Sequence, residues 1–162
     1  MSKLIIPLTL QEPLIKIELY PATAFSRVLQ ESGEQVPKSI LINGLIDTGF
    51  TGGLAIDSEL IKNWGLRTRN FNEVSLPRDH GPQFFRSYAW EADVAVKFFD
   101  VAKGGGNIKL DPIAATFLDL APGQGFQAII GQEILQTTVF VYNGPKNCFT
   151  LEFSRKYAEA KA

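Results

Sequence analysis

A carboxylate stands where an apolar run of the sequence stops, in the triplet Asp47-Thr48-Gly49. The run before it, Ser39 to Ile46, consists largely of β-branched and leucine side chains interrupted at Asn43-Gly44, and this predicts a strand or hairpin buried on both faces. A carboxylate at the tip of a rigid strand is held in place, as catalysis by a carboxylate requires. Asp, Thr and Gly are also common turn residues, so an ordinary surface turn is the alternative interpretation.

A further strand and a short helix are predicted after the triplet. Asp57 can cap the helix and Gly65 can end it, because glycine tolerates the left-handed conformation of a helix C-terminus. The side chains of Leu60, Ile61 and Trp64 fall on one side of this helix. The triplet is therefore separated from the helix by about one strand.

The rest of the chain is dominated by alternation with a period of two, which is typical of strands with one solvated face. Ile15 to Leu19 and Trp90 to Phe98 both show it. Two further strand-like runs, Thr137 to Tyr142 and Cys148 to Phe153, are separated by turn-forming residues and predict a closing hairpin. These patterns predict a small all-β domain with one or two short helices.

Two segments, Ala22 to Pro37 and Val101 to Pro112, are predicted to be exposed loops because they are rich in polar residues and glycine. The glycines Gly104 to Gly106 lack the Gly-Lys-Ser/Thr ending of a phosphate loop, so a flexible connection explains them better.

The segment from Leu45 to Ile56, with the helix after it, resembles the active-site segment of retropepsin-like aspartic peptidases, and looks closest to the prokaryotic group whose motif reads Asp-Thr-Gly-Phe. A second segment, Ala128 to Leu135, is similar to the apolar-apolar-Gly motif and helix that those folds place behind the active-site loop. The resemblance covers roughly residues 40–153. It implies a single-lobe acid protease fold, a closed small β barrel. It divides the single domain 1–162 into an N-terminal extension (1–37), a peptidase core (38–153) and a tail (154–162).

The same resemblance implies roles for individual residues. Asp47 would be catalytic, Thr48 would brace paired loops through its hydroxyl, the Gly49 backbone would donate to the carboxylates, and Phe50 would line the pocket beside them. The residues expected to support the loop structurally are Ile129, Ile130 and Gly131. A flap that closes over substrate is expected at 78–82, with His80 and Gly81 at its tip; an ordinary polar hairpin loop is the alternative there.

One Asp-Thr-Gly triplet is too few for this chemistry within one chain. One carboxylate must accept a proton from water while a second, protonated one polarises the peptide carbonyl. The resemblance therefore implies a homodimer that contributes two Asp47 side chains and acts as an aspartic endopeptidase on extended polypeptide. Two alternatives stay open: a catalytically idle retropepsin-like module for dimerisation or peptide binding, and an unrelated β barrel with Asp47 in a surface turn.

The amino-acid composition argues against several classes of binding partner. The 162 residues include 16 basic and 17 acidic side chains, so no basic footprint for nucleic acid is expected. Cys148 is the single cysteine and cannot form a disulfide within the chain. With His80 as the single histidine, the chain also lacks the clustered ligands of a zinc site. A catalytic pair of Cys148 and His80 is disfavoured, because Cys148 lies in an apolar run predicted to be a strand. No cofactor, metal or membrane partner is expected, and a cytoplasmic location is predicted.

Overall fold

The computed structural model describes residues 2–66, 69–77, 84–99, 108–120 and 124–157. The strands of these residues are β1 (Ser2–Pro7), β2 (Leu14–Pro21), β3 (Ile40–Ile46), β4 (Leu54–Asp57), β5 (Arg69–Pro77), β6 (Phe84–Phe98), β7 (Ile108–Leu118), β8 (Ala128–Ile130), β9 (Thr138–Asn143) and β10 (Cys148–Phe153). The helices are α1 (Thr23–Glu31), α2 (Ser58–Trp64) and α3 (Gln132–Leu135), and a 3-10 turn spans Arg155–Tyr157.

Six strands close into a barrel in the order β2-β3-β8-β4-β7-β6, because β6 also pairs with β2. The β3–β8 and β4–β7 pairs are parallel, and the other barrel pairs are antiparallel. Strand β5 pairs with β6 at the edge of this sheet. The predicted all-β class and closed small barrel are confirmed.

A second, three-stranded sheet joins the two ends of the chain in the order β1-β10-β9. It shares the core of the barrel, since the ring of Phe98 on β6 lies 5.2 Å from the ring of Phe153 on β10, centroid to centroid. Both rings are fully buried. The segment set apart above as an N-terminal extension thus supplies β1 to this sheet and β2 to the barrel.

The loop predicted for Ala22 to Pro37 is wrong for most of its length, because Thr23–Glu31 forms α1. Leu29 is buried and Phe25 packs against the core. No side chain at the N-cap position of α1 bonds its first turn; instead the carboxylate of Asp111 on β7 accepts from the N–H and the hydroxyl of Thr23. A cap supplied from so far along the chain leaves no local signal.

The loop predicted for Val101 to Pro112 is also wrong from residue 108 onward, where β7 begins.

The predicted burial of β3 on both faces is also wrong. Ile42, Gly44 and Ile46 are buried, whereas Leu41 is 56% exposed. One face of β3 lines the barrel and the other is partly solvated, so the apolar run reflects β propensity more than double burial.

Other elements agree with the sequence. Helix α2 ends at Gly65, which has φ +76° as predicted, although Asp57 stands at the N-cap without a side-chain capping bond. The closing hairpin is β9–β10, with Asn143 opposite Cys148.

Candidate active site

Asp47 lies directly beyond β3 and begins a turn. Its Oδ1 accepts a hydrogen bond from the Gly49 N–H at 2.8 Å, and its carbonyl oxygen accepts from the Phe50 N–H at 3.2 Å. Asp47 is half-buried, while Thr48 and Gly49 are exposed. One carboxylate oxygen is therefore fixed by the main chain, and the turn presents an accessible surface beside it.

The two sequence motifs meet in space. Strand β3 runs parallel to β8, with Leu45 opposite Ile129 and Ile46 opposite Ile130. Beyond these pairs, four main-chain hydrogen bonds of the described residues tie the turn to the second motif. From donor to acceptor they are Asp47 to Ile130 (3.0 Å), Gly131 to Gly53 (2.9 Å), Gln132 to Phe50 (2.7 Å) and Glu133 to Gly52 (3.2 Å).

Close approach at this junction requires glycine. A Cβ atom at Gly131 would lie 2.2 Å from the carbonyl oxygen of Gly52 and 2.4 Å from Cδ1 of Phe50. A Cβ atom at Gly52 would lie 2.7 Å from Cζ of the same phenylalanine. The half-buried ring of Phe50 thus packs against two glycines of its own chain. Its role in lining a substrate pocket stays a prediction.

No role was predicted for Gln132 from the sequence, yet the structure brings its side chain to the turn. Its Nε2 donates to the carbonyl oxygen of Thr48 at 2.7 Å. The residue is half-buried at the start of α3. Its place directly after Gly131 was the available signal, because that position faces the turn once the two motifs pair.

The other candidate residues lie away from this junction or outside the described residues. His80, Gly81 and the rest of the predicted flap tip fall outside them, as do Gly104 to Gly106. The strands on either side of 78–83 pair antiparallel, with Pro77 opposite Phe84. Cys148 is half-buried on β10, opposite Pro7 and Asn143.

Within the part of the chain that the structure describes, no group of three or more His, Cys, Asp or Glu side chains is placed to bind a metal ion. In the same residues, no helix has the length and apolar character needed to cross a bilayer.

Comparison with solved structures identifies the fold. The chain is similar to a crystal structure of a retropepsin-like aspartic protease from Rickettsia conorii, with a TM-score of 0.53 over 94% of this chain and 91% of that chain. The two sequences are 14% identical. No family model matches the sequence, and no curated protein matches it. The chain therefore has a retropepsin-like single-lobe fold, and Asp47 occupies the turn that follows a barrel strand of that fold.

Proposed function

We propose that this protein is an aspartic endopeptidase that acts as a homodimer, with one Asp47 carboxylate from each chain. The observation that carries the proposal is the state of Asp47: it is half-buried at the end of a barrel strand, one of its oxygens accepts the Gly49 N–H, and the turn around it is braced by the second motif.

The proposed chemistry needs two copies, and the exposed turn is compatible with a second copy beside it. The described part of this chain places no second carboxylate in hydrogen-bond contact with Asp47. Thr48 and Gly49 are exposed and therefore accessible to a second copy related by a two-fold axis, which would bring like residues together. The retropepsin-like fold adds support, since the structural relative carries the name of an aspartic protease.

In the proposed mechanism the two carboxylates share one proton, because two adjacent negative charges cannot both form cheaply. The ionised carboxylate takes a proton from water as the water oxygen attacks the peptide carbonyl carbon. The protonated carboxyl donates its proton to the carbonyl oxygen, giving a tetrahedral diol. As the diol collapses and the C–N bond breaks, the carboxyl that took the water proton gives it to the leaving amine, and the other carboxylate takes a proton from a diol hydroxyl. The dyad thus keeps one proton, and the products are a carboxylic acid and an amine.

Extended polypeptide is the proposed substrate. A barrel with the antiparallel pair β5–β6 at the edge of its sheet offers main-chain partners for a peptide in strand conformation. The flap assigned to His80 and Gly81 is part of this proposal.

The test is cleavage of an unfolded protein or a peptide mixture at acid pH. Asp47→Asn should abolish cleavage, and a peptide mimic carrying a hydroxyl at the scissile position should inhibit the wild type. Asp57→Asn is the matched control, because Asp57 also ends a barrel strand and Asn is an equally good N-cap residue. Cleavage that survives Asp47→Asn, needs a metal ion or is stopped by thiol reagents would contradict the proposal. A folded dimer without cleavage would favour the idle binding module.

A further inference from the structure

Gln132 and Asp47 are joined through a single peptide unit. The carbonyl oxygen of Thr48 accepts from Nε2 of Gln132 at 2.7 Å, and the N–H of the next residue, Gly49, donates to Oδ1 of Asp47 at 2.8 Å. The carbonyl and the N–H belong to the same peptide plane. Because that plane is rigid, fixing its oxygen also fixes the direction in which its N–H points.

The main chain of Gln132 also holds the turn, since its N–H donates to the carbonyl oxygen of Phe50 at 2.7 Å. Gln132 thus bonds the carbonyl groups on either side of Gly49. Substitution of the side chain removes the bond to Thr48 and leaves the main-chain bond in place. The contribution of the amide can therefore be measured separately.

The hydrogen bond from the Gln132 amide to the Thr48 carbonyl, called the brace below, starts from main chain that is held in place by packing. Gly131, immediately before Gln132, has no room for a Cβ atom, and the side chain of Ile134 in α3 is fully buried. The main chain from which the Gln132 side chain extends is therefore held in place on both sides.

We propose that Gln132 is a positioning residue for Asp47: its side-chain amide orients the Thr48–Gly49 peptide so that the Gly49 N–H is aimed at the catalytic carboxylate. Hydrogen bonds linked through one amide also polarise each other, so donation to the Thr48 oxygen strengthens donation by the Gly49 N–H. The catalytic consequence rests on the proposed function above; the geometric one does not.

Three variants test the proposal. Gln132→Met keeps the length of the side chain and removes the donor, whereas Gln132→Lys keeps a donor of similar reach. Gln136→Met is the matched control, because Gln136 is an exposed glutamine one helical turn further on. Thermal unfolding of all three, monitored alongside activity, separates a loss of fold from a loss of positioning.

We expect Gln132→Met to lower kcat by about tenfold or more and to change KM by less than about threefold, because substrate contacts are unaffected while the reacting group is misplaced. Gln132→Lys should recover most of kcat, and Gln136→Met should match the wild type.

Wild-type kcat in Gln132→Met would overturn the proposal, as would an equal loss in Gln136→Met. If the wild type shows no cleavage that depends on Asp47, the proposed function fails and the brace is judged by amide hydrogen exchange. Faster exchange at Gly49 and Phe50 in Gln132→Met than in Gln136→Met would support the brace, and equal exchange would overturn it as well.

Discussion

The main-chain N–H of Asp47 donates to the carbonyl oxygen of Ile130 at 3.0 Å, which joins the two motifs of the chain by a direct hydrogen bond. This bond continues the parallel pairing of β3 with β8 past the end of the barrel strand. The position of Asp47 therefore depends on the packing of the second motif, and changes there should affect both stability and the turn.

Gly131→Ala tests that dependence. The added methyl group would lie 2.2 Å from the Gly52 carbonyl oxygen and 2.4 Å from the Phe50 ring, and backbone cannot easily move away. We expect the free energy of unfolding to fall by about 3 kcal/mol. Gly144→Ala is the control, because its nearest neighbour would be an atom of Tyr142 at 3.5 Å; it should change stability by less than about 0.5 kcal/mol. Equal effects in urea unfolding would show that the junction is not tightly packed.

The sequence predicts those parts of the site that depend on neighbouring residues, and misses those that depend on contacts between distant segments. The Asp47 turn and the Gly131 motif are local patterns, and both were identified. The contact of Gln132 with Thr48 exists only after β3 and β8 pair, so its position directly after Gly131 was the one signal that the sequence offered. The same reason explains α1, whose first turn is capped by Asp111. The flap residues lie outside the described residues, and their role stays a prediction.

Substitution of Leu10 should stabilise the protein, because this residue has an unfavourable backbone conformation. It has φ +50° and is 92% exposed, in a two-residue turn closed by hydrogen bonds between Thr9 and Glu12. The left-handed region is costly for leucine and much less so for asparagine. Leu10→Asn should therefore raise the free energy of unfolding by about 0.5–1 kcal/mol. Leu41→Asn, at an exposed but extended position of β3, should give no gain. A loss of stability in Leu10→Asn would mean that the leucine side chain makes a contact worth more than the strain.

Ser39 and Glu18 predict a pH-dependent contribution to stability. The Ser39 hydroxyl donates to Oε1 of Glu18 at 2.5 Å, and this bond is the main reason that the pKa of Glu18 is lowered from 4.5. A lowered folded-state pKa stabilises the fold above the unfolded pKa and loses that contribution as the pH falls through the folded value. We expect Ser39→Ala to cost about 0.5–1 kcal/mol at pH 7, because Glu18 is half-exposed, and distinctly less at about pH 3.

Urea unfolding at both pH values measures this effect. Ser32→Ala is the control, since the Ser32 hydroxyl donates to the uncharged carbonyl oxygen of Val28. Its cost should not change with pH. A pH-independent cost for Ser39→Ala would contradict the assignment of the lowered pKa to the Ser39 bond.

The most direct test of the central claim, that two Asp47 side chains form one active site, is the specific activity of mixed dimers. Wild-type and Asp47→Asn chains are mixed in equal amounts, allowed to exchange and assayed at a fixed total chain concentration. If both carboxylates are needed, about a quarter of the dimers keep them, and activity should fall to about a quarter of that of the same amount of wild type. Activity at about half would mean that each chain acts alone, and would contradict the shared site.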